Sequence, residues 1–310
     1  MAFIAPTRLP GDPASYLRTH RYLVRAASAI LSVFLWIFIF QYFSAFTTVG
    51  RALIQTLLLY ALAQTIAILL IPFAMRRMRG GMRRGLVYGT LTLIAALVYS
   101  GVLLGGLFPN GTAMIGILLG AYGALYRVPY TIEHAVMGSQ ERSGLFGEML
   151  LAALPFLTGI ALTRGIPAHT VFFESALLPL LALVPLFLVP NVHETFSWGY
   201  RETFGHLVAP ENRGVLLRSL WQGISAALLF LAWPLILLFT TPSYLVLGAA
   251  FSATLFTVFL FRASTRPAVV EQHADGGTYL DEYTSLKEMG LALGRLVLCF
   301  ALVALVLLFQ

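Results

Sequence analysis

Nine residues set between two long apolar runs constrain this chain more than any others. Arg76-Arg77-Met78-Arg79-Gly80-Gly81-Met82-Arg83-Arg84 carries five arginines and no acid. Ala52–Met75 lies before it and Leu86–Phe108 after it. Each run exceeds the roughly 20 apolar residues a helix needs to cross a bilayer core. Two such runs joined by so short a link form a helical hairpin through a membrane. The link's positive charge resists translocation, which holds it on the cytoplasmic side.

The remaining sequence repeats this pattern. Of its 310 residues, 59% are hydrophobic and 11% charged, against about 45–50% and about 25% in a soluble domain. The expectation is an all-α polytopic bundle of about nine spans. They are Arg25–Phe46, Ala52–Met75, Leu86–Phe108, Thr112–Val128, Gly144–Leu162, Pro167–Val189, Leu220–Phe239, Tyr244–Phe261 and Met289–Phe309. Continuous apolar runs, not short alternating ones, argue against a barrel. With the N-terminus inside, the outer turns contribute only Arg51 and Arg164, and the inner segments hold nearly every other cation. All the alternations agree, so the chain is expected in the cell (inner) membrane, multi-pass, with a cytoplasmic N-terminus. The net charge of +7 is scattered among apolar runs and forms no stripe for nucleic acid. Membrane lipids and a small-molecule solute are the expected partners.

Three parts are expected. Residues 1–190 form an N-terminal six-helix bundle, 191–219 a cytoplasmic inter-bundle loop, and 220–310 an incomplete C-terminal bundle of about three helices. The loop contains an amphipathic stretch (Phe196, Trp198, Tyr200, Phe204, Leu207) suited to the membrane surface.

Six spans, a long inner loop and further spans resemble the plan of the major facilitator superfamily, whose members consist of two halves related by a pseudo-two-fold axis along the membrane normal. Gly81-Met82-Arg83-Arg84 is similar to the downstream half of that family's signature between spans two and three. The signature's acid is missing, and Arg76 and Arg77 stand where it would be. Glu141, Arg142 and Gly144 loosely match a family habit between spans four and five, and Trp233-Pro234-Leu235 echoes Trp36-Ile37-Phe38 at an offset of 197 residues. By that offset Glu148-Met149-Leu150-Leu151-Ala152 should recur near residue 345, yet Glu288-Met289-Gly290-Leu291-Ala292 follows it by 140. The shortfall of 57 residues is about two helices and a turn. On this resemblance the last span, Met289–Phe309, is expected to correspond to a family span eleven, with spans nine, ten and twelve absent.

The resemblance implies a gradient-driven transporter of small solutes. No Walker-type loop, zinc-binding His-Glu-x-x-His or Gly-x-Ser-x-Gly elbow occurs, so no cofactor, metal or enzymatic activity is expected. An ionisable group inside a span is a functional candidate. Glu174 in span six and Glu148 in span five are the candidates for coupling or substrate contact, joined by Arg127 and Gln41. As a coupling or substrate site Glu174 would face the bundle interior; the other reading is a polar residue facing a water-filled outer vestibule. Arg127 or Arg142 is expected to pair with an acid and tie spans four and five. Arg76, Arg77, Arg83, Arg84 and Arg142 are the gating-loop candidates. Gln55 and Gln64 could serve a solute or a neighbouring helix. Glycines at helical spacing (Gly101, Gly105 and Gly106; Gly116, Gly120 and Gly123) are expected at close helix crossings. The alternative is a truncated, non-transporting membrane protein with a scaffold or regulatory role.

Overall fold

A computed structural model describes residues 12–78, 81–106, 111–136, 145–193, 196–241, 243–264 and 280–309. The described residues are helical throughout, with short turns and no strand. In chain order the helices are α1 (Pro13–Ser44), α2 (Val49–Arg77), α3 (Met82–Leu104), α4 (Thr112–Val136), α5 (Leu145–Thr163) and α6 (Ala168–Leu186). They are followed by α7 (Tyr200–Val208), α8 (Arg213–Ala227), α9 (Trp233–Thr240), α10 (Tyr244–Ser264) and α11 (Leu280–Leu308). A π turn, Leu228–Ala232, joins α8 to α9. Pro234 follows it and has no N–H to give the Phe230 carbonyl, which is where a helix yields to a wider turn.

Six stretches are long and apolar enough to cross a membrane: Pro13–Ser44, Val49–Arg77, Met82–Leu104, Ala168–Leu186, Pro210–Thr240 and Leu280–Leu308. This is consistent with a membrane protein. Expected spans five and eight are helical, but their apolar parts, Gly147–Thr163 and Tyr244–Phe259, are shorter. Expected span four is α4, whose tyrosines, glycines and Arg127 dilute its hydropathy.

An apolar stretch of α1 takes the middle. Every residue from Val33 to Phe40 is buried, as befits a helix that is apolar on all sides. Around α1 stand α2, α3, α5, α6 and α9. The N-terminal helices α2, α3, α4 and α6 form a chain of neighbours, α2 on α4, α4 on α3 and α3 on α6. The most extensive contacts between N-terminal and C-terminal helices are those of α2 with α11 and of α5 with α10, and α4 also meets α11. Gly116 and Gly120 turn toward Leu59 and Ala63 of α2, and Gly101 turns toward α6.

The inter-bundle segment departs from expectation. Residues 200–208 form α7, and α8 begins at Arg213, seven residues before the expected span. Phe196 and Leu207 do not lie on an outer surface. They are buried with Met75, Met78, Met82, Ile132 and Leu286, closing what we term the basic end of the bundle, where α2 ends and α3 begins.

Candidate functional site

Polar groups collect where α2, α4 and α11 meet. Glu288 and Arg295 are seven residues apart, two turns of α11, and so share a face. Small side chains opposite them, Ala63 and Ala67 of α2, Gly123 of α4 and Ala292 of α11 itself, leave a cavity of about 30 Å³. That volume holds a water molecule, not a solute. Arg127 of α4 pairs with Glu288 at 3.7 Å. Arg295 donates to Gln64 Oε1 at 3.3 Å. Gln64 is the sixteenth of the 29 residues of α2, so the guanidinium reaches the middle of that helix.

A second cluster ties α1 to α4 and α5. The Arg25 guanidinium grips both oxygens of Glu148, at 2.5 and 2.8 Å. One turn earlier, Arg21 donates to Tyr130 Oη at 2.8 Å and lies 4.5 Å from that ring's centre. Tyr122, Tyr126, Tyr130 and His134 recur every four residues of α4 and form a ladder with ring centres 5.3 to 5.8 Å apart. Buried His20 stands against it at Tyr126, its Nδ1 2.8 Å from the Ala182 carbonyl of α6.

The third cluster seals the basic end. Gly81 has φ +135°, and a side chain there would collide with Asn191, so glycine is required on two counts. Met82 N donates to the Val192 carbonyl at 2.9 Å. Arg83 gives its backbone N–H to Asn191 Oδ1 at 3.2 Å and its guanidinium to the Val189 carbonyl at 3.1 Å. From the other side Val192 N donates to Glu133 Oε1 at 3.4 Å. Glu133 lies beyond the apolar part of α4 and is wholly buried. Burial pushes its carboxyl up to about 7, with the Val192 N–H and Arg83 opposing the rise. Farther along the segment, Ser197 donates from N and Oγ to Glu282 Oε1 of α11, at 3.0 and 2.9 Å.

The residues singled out in the sequence divide among these clusters. Arg127 lines the cavity, and its acid is Glu288 of α11, not one on α5. Glu148 is held by Arg25 of α1, not by Arg127. Among the described residues the ion pairs run from α4 to α11 and from α1 to α5, so Arg127 does not supply the expected tie between α4 and α5. Arg142 and Glu141 lie outside the described residues. Gln41 accepts from Tyr244 Oη at 3.1 Å, linking α1 to α10 at the end remote from the basic turn. Glu174 does not face the interior. It lies exposed on α6 between Phe173 and Leu177, in a stripe that continues through Leu180, Leu181 and Val184. Arg76, Arg77 and Arg84 are exposed, and of the described gating-loop candidates Arg83 alone is built into the seal.

Arg295, Glu288 and Arg25 were not singled out. A signal for Arg295 was present, because it is a cation six residues inside the apolar run that starts at Met289. No family model, no curated protein and no solved structure matches this chain.

Proposed function

We propose that this chain is a membrane transporter of facilitator type, moving a small solute down or with a gradient by alternating access of two helix bundles. The single observation that carries the reading is the pair of contacts between the bundles. Two halves of six spans related by a pseudo-two-fold axis exchange span two with eight and five with eleven. The axis therefore turns a contact of five with eight into a contact of eleven with two. The fifth span (α5) packs on the eighth (α10), and the second (α2) packs on the last (α11). In this reading the last helix stands for position eleven, which the echo of Glu148–Ala152 at Glu288–Ala292 supports. The cavity lined by Gln64, Arg127, Glu288 and Arg295 lies beside this seam at mid-helix, where such transporters hold their solutes. In this reading the basic end is cytoplasmic, and the seal of Arg83, Glu133 and Glu282 on Val189, Asn191, Val192 and Ser197 is the closed inner gate. No catalytic step and no cofactor enter it.

Solute flux into liposomes carrying the purified chain tests the proposal. Saturable uptake or counterflow of one solute class is the expected result. A folded, monodisperse protein that passes none of a broad panel of ions, sugars, amino acids and organic acids would overturn it. That outcome would favour the second reading, a non-transporting scaffold or regulator. One observation speaks for the latter: the apolar windows of α1, α2, α3 and α6 are 65%, 61%, 50% and 39% buried, whereas those of Pro210–Thr240 and α11 are 33% and 17%. The C-terminal helices leave more apolar surface for another membrane protein.

A further inference from the structure

The solute's charge can be read from the cavity between α2, α4 and α11. We propose that this cavity is a subsite for a small oxyanion, a carboxylate or phosphate group, with Arg295 as the residue that recognises it. The inference rests on the reading of the chain as a transporter, and it names the substrate class of the same site.

Three observations carry it. The first is the charge count. Arg127 and Arg295 face one acid, Glu288, which pairs with Arg127 and lies within electrostatic reach of Arg295 as well. The three groups sum to one positive charge. The second is the state of Arg295. Its partner among the described residues is the neutral Gln64 carbonyl, which engages one of five N–H donors. A guanidinium fork with donors to spare suits the two oxygens of a carboxylate or phosphate. The third is position. The guanidinium meets α2 at its middle, beside the contact between bundles, where an unbalanced cation is costly unless an anion visits it. In the present state the cavity of about 30 Å³ admits water alone. An oxyanion enters when α11 moves away from α2, as alternating access requires.

The test uses the full chain with succinate and inorganic phosphate as probes, and glycerol and lysine as neutral and cationic controls. Thermal shift of the detergent-purified protein reads binding, and currents or tracer flux from liposomes read transport. At least one oxyanion is expected to raise the melting temperature saturably, with glycerol and lysine inactive. Arg295→Gln should weaken that binding at least tenfold, and Arg295→Lys should retain part of it. Flux of glycerol or lysine that survives Arg295→Gln would leave the transporter reading intact and overturn the oxyanion. Saturable, Arg295-dependent oxyanion binding without flux of any solute would sustain the subsite and overturn transport. If Arg295→Gln does not survive purification, the wild-type protein decides, because absence of a saturable shift with both oxyanions overturns the proposal.

Discussion

Replacing Gly294 by alanine should destabilise the chain, although the same change elsewhere on an exposed helix stabilises it. Gly290 and Gly294 form a Gly-x-x-x-Gly pair on α11 and face Ser219, Leu220 and Gly223 of α8. A methyl group at Gly294 falls on the Leu220 carbonyl, and one at Gly223 falls on the Leu291 carbonyl. Both obstacles are backbone, which cannot swing aside as a side chain can. A carbon needs about 3.5 Å from such a neighbour, so α8 and α11 must part along the whole crossing. Overfilling a packed contact of this kind costs about 1–3 kcal/mol, and alanine's better helix propensity returns about 1 kcal/mol. The expected net change is a loss of up to about 2 kcal/mol. Gly205 on α7 is the control, because nothing lies within 4 Å of the methyl it would gain. There alanine should add about 0.5–1 kcal/mol. Gly223→Ala and Gly294→Ala together should cost less than their sum, since one parting of the helices relieves both. Reversible unfolding in mixed micelles, read by tryptophan fluorescence, gives all four values, with Trp221 on α8 close to the crossing. Equal stabilisation by Gly294→Ala and Gly205→Ala would refute the close approach of α8 and α11.

Three further outcomes follow from the other clusters. Alanine at Arg25 or at Glu148 should each lower stability by about 2–3 kcal/mol, below the range of fully buried pairs because the Arg25 side chain is 36% exposed. A double-mutant cycle should return a coupling above 1 kcal/mol, and additive single effects would show the fork to be idle. Folding raises the Glu133 pKa from 4.5 to about 7, so the folded state holds the proton more tightly than the unfolded state does. The stabilisation this gives is complete below pH 4.5 and is lost as pH climbs through 7, a difference of about 3 kcal/mol at most. Glu133→Gln keeps an acceptor for Val192 N and should flatten the melting temperature across that window while raising it at pH 8. An unchanged pH profile in the variant would assign the dependence to other groups. Glu174→Gln should leave solute flux intact, since the carboxyl faces away from the bundle; loss of flux at normal expression would restore it to the mechanism.

Most helices were legible in the sequence, but their ends and their rotations were not, for different physical reasons. Hydropathy measures the width of the apolar layer, whereas a helix continues while its backbone hydrogen bonds are satisfied. Hence α1 starts at Pro13, capped by Asp12, not at Arg25, and α11 starts at Leu280 with Asp281 and Glu282 in its first turn, not at Met289. The Glu282 carboxylate in that first turn complements the positive end of the helix dipole, which favours a helix start beyond the apolar part. Rotation is lost because lipid and neighbouring helices both accept apolar side chains, so α6 reads the same on every face. Glu174 could be located along the helix but not around it. Pairings such as Arg25 with Glu148, 123 residues apart, have no local signature at all. Cations behave differently. Arg295 stands in an otherwise apolar run, and its cost in lipid alone demanded a polar destination. The 76–84 turn shows the same division between what charge and what geometry encode. The expected positive-inside retention would depend on how many arginines the turn has, and any of them would serve. Docking on Asn191 and Val189 depends on Gly81 and Arg83 at their particular positions, which counting charges could not separate from Arg76, Arg77 and Arg84.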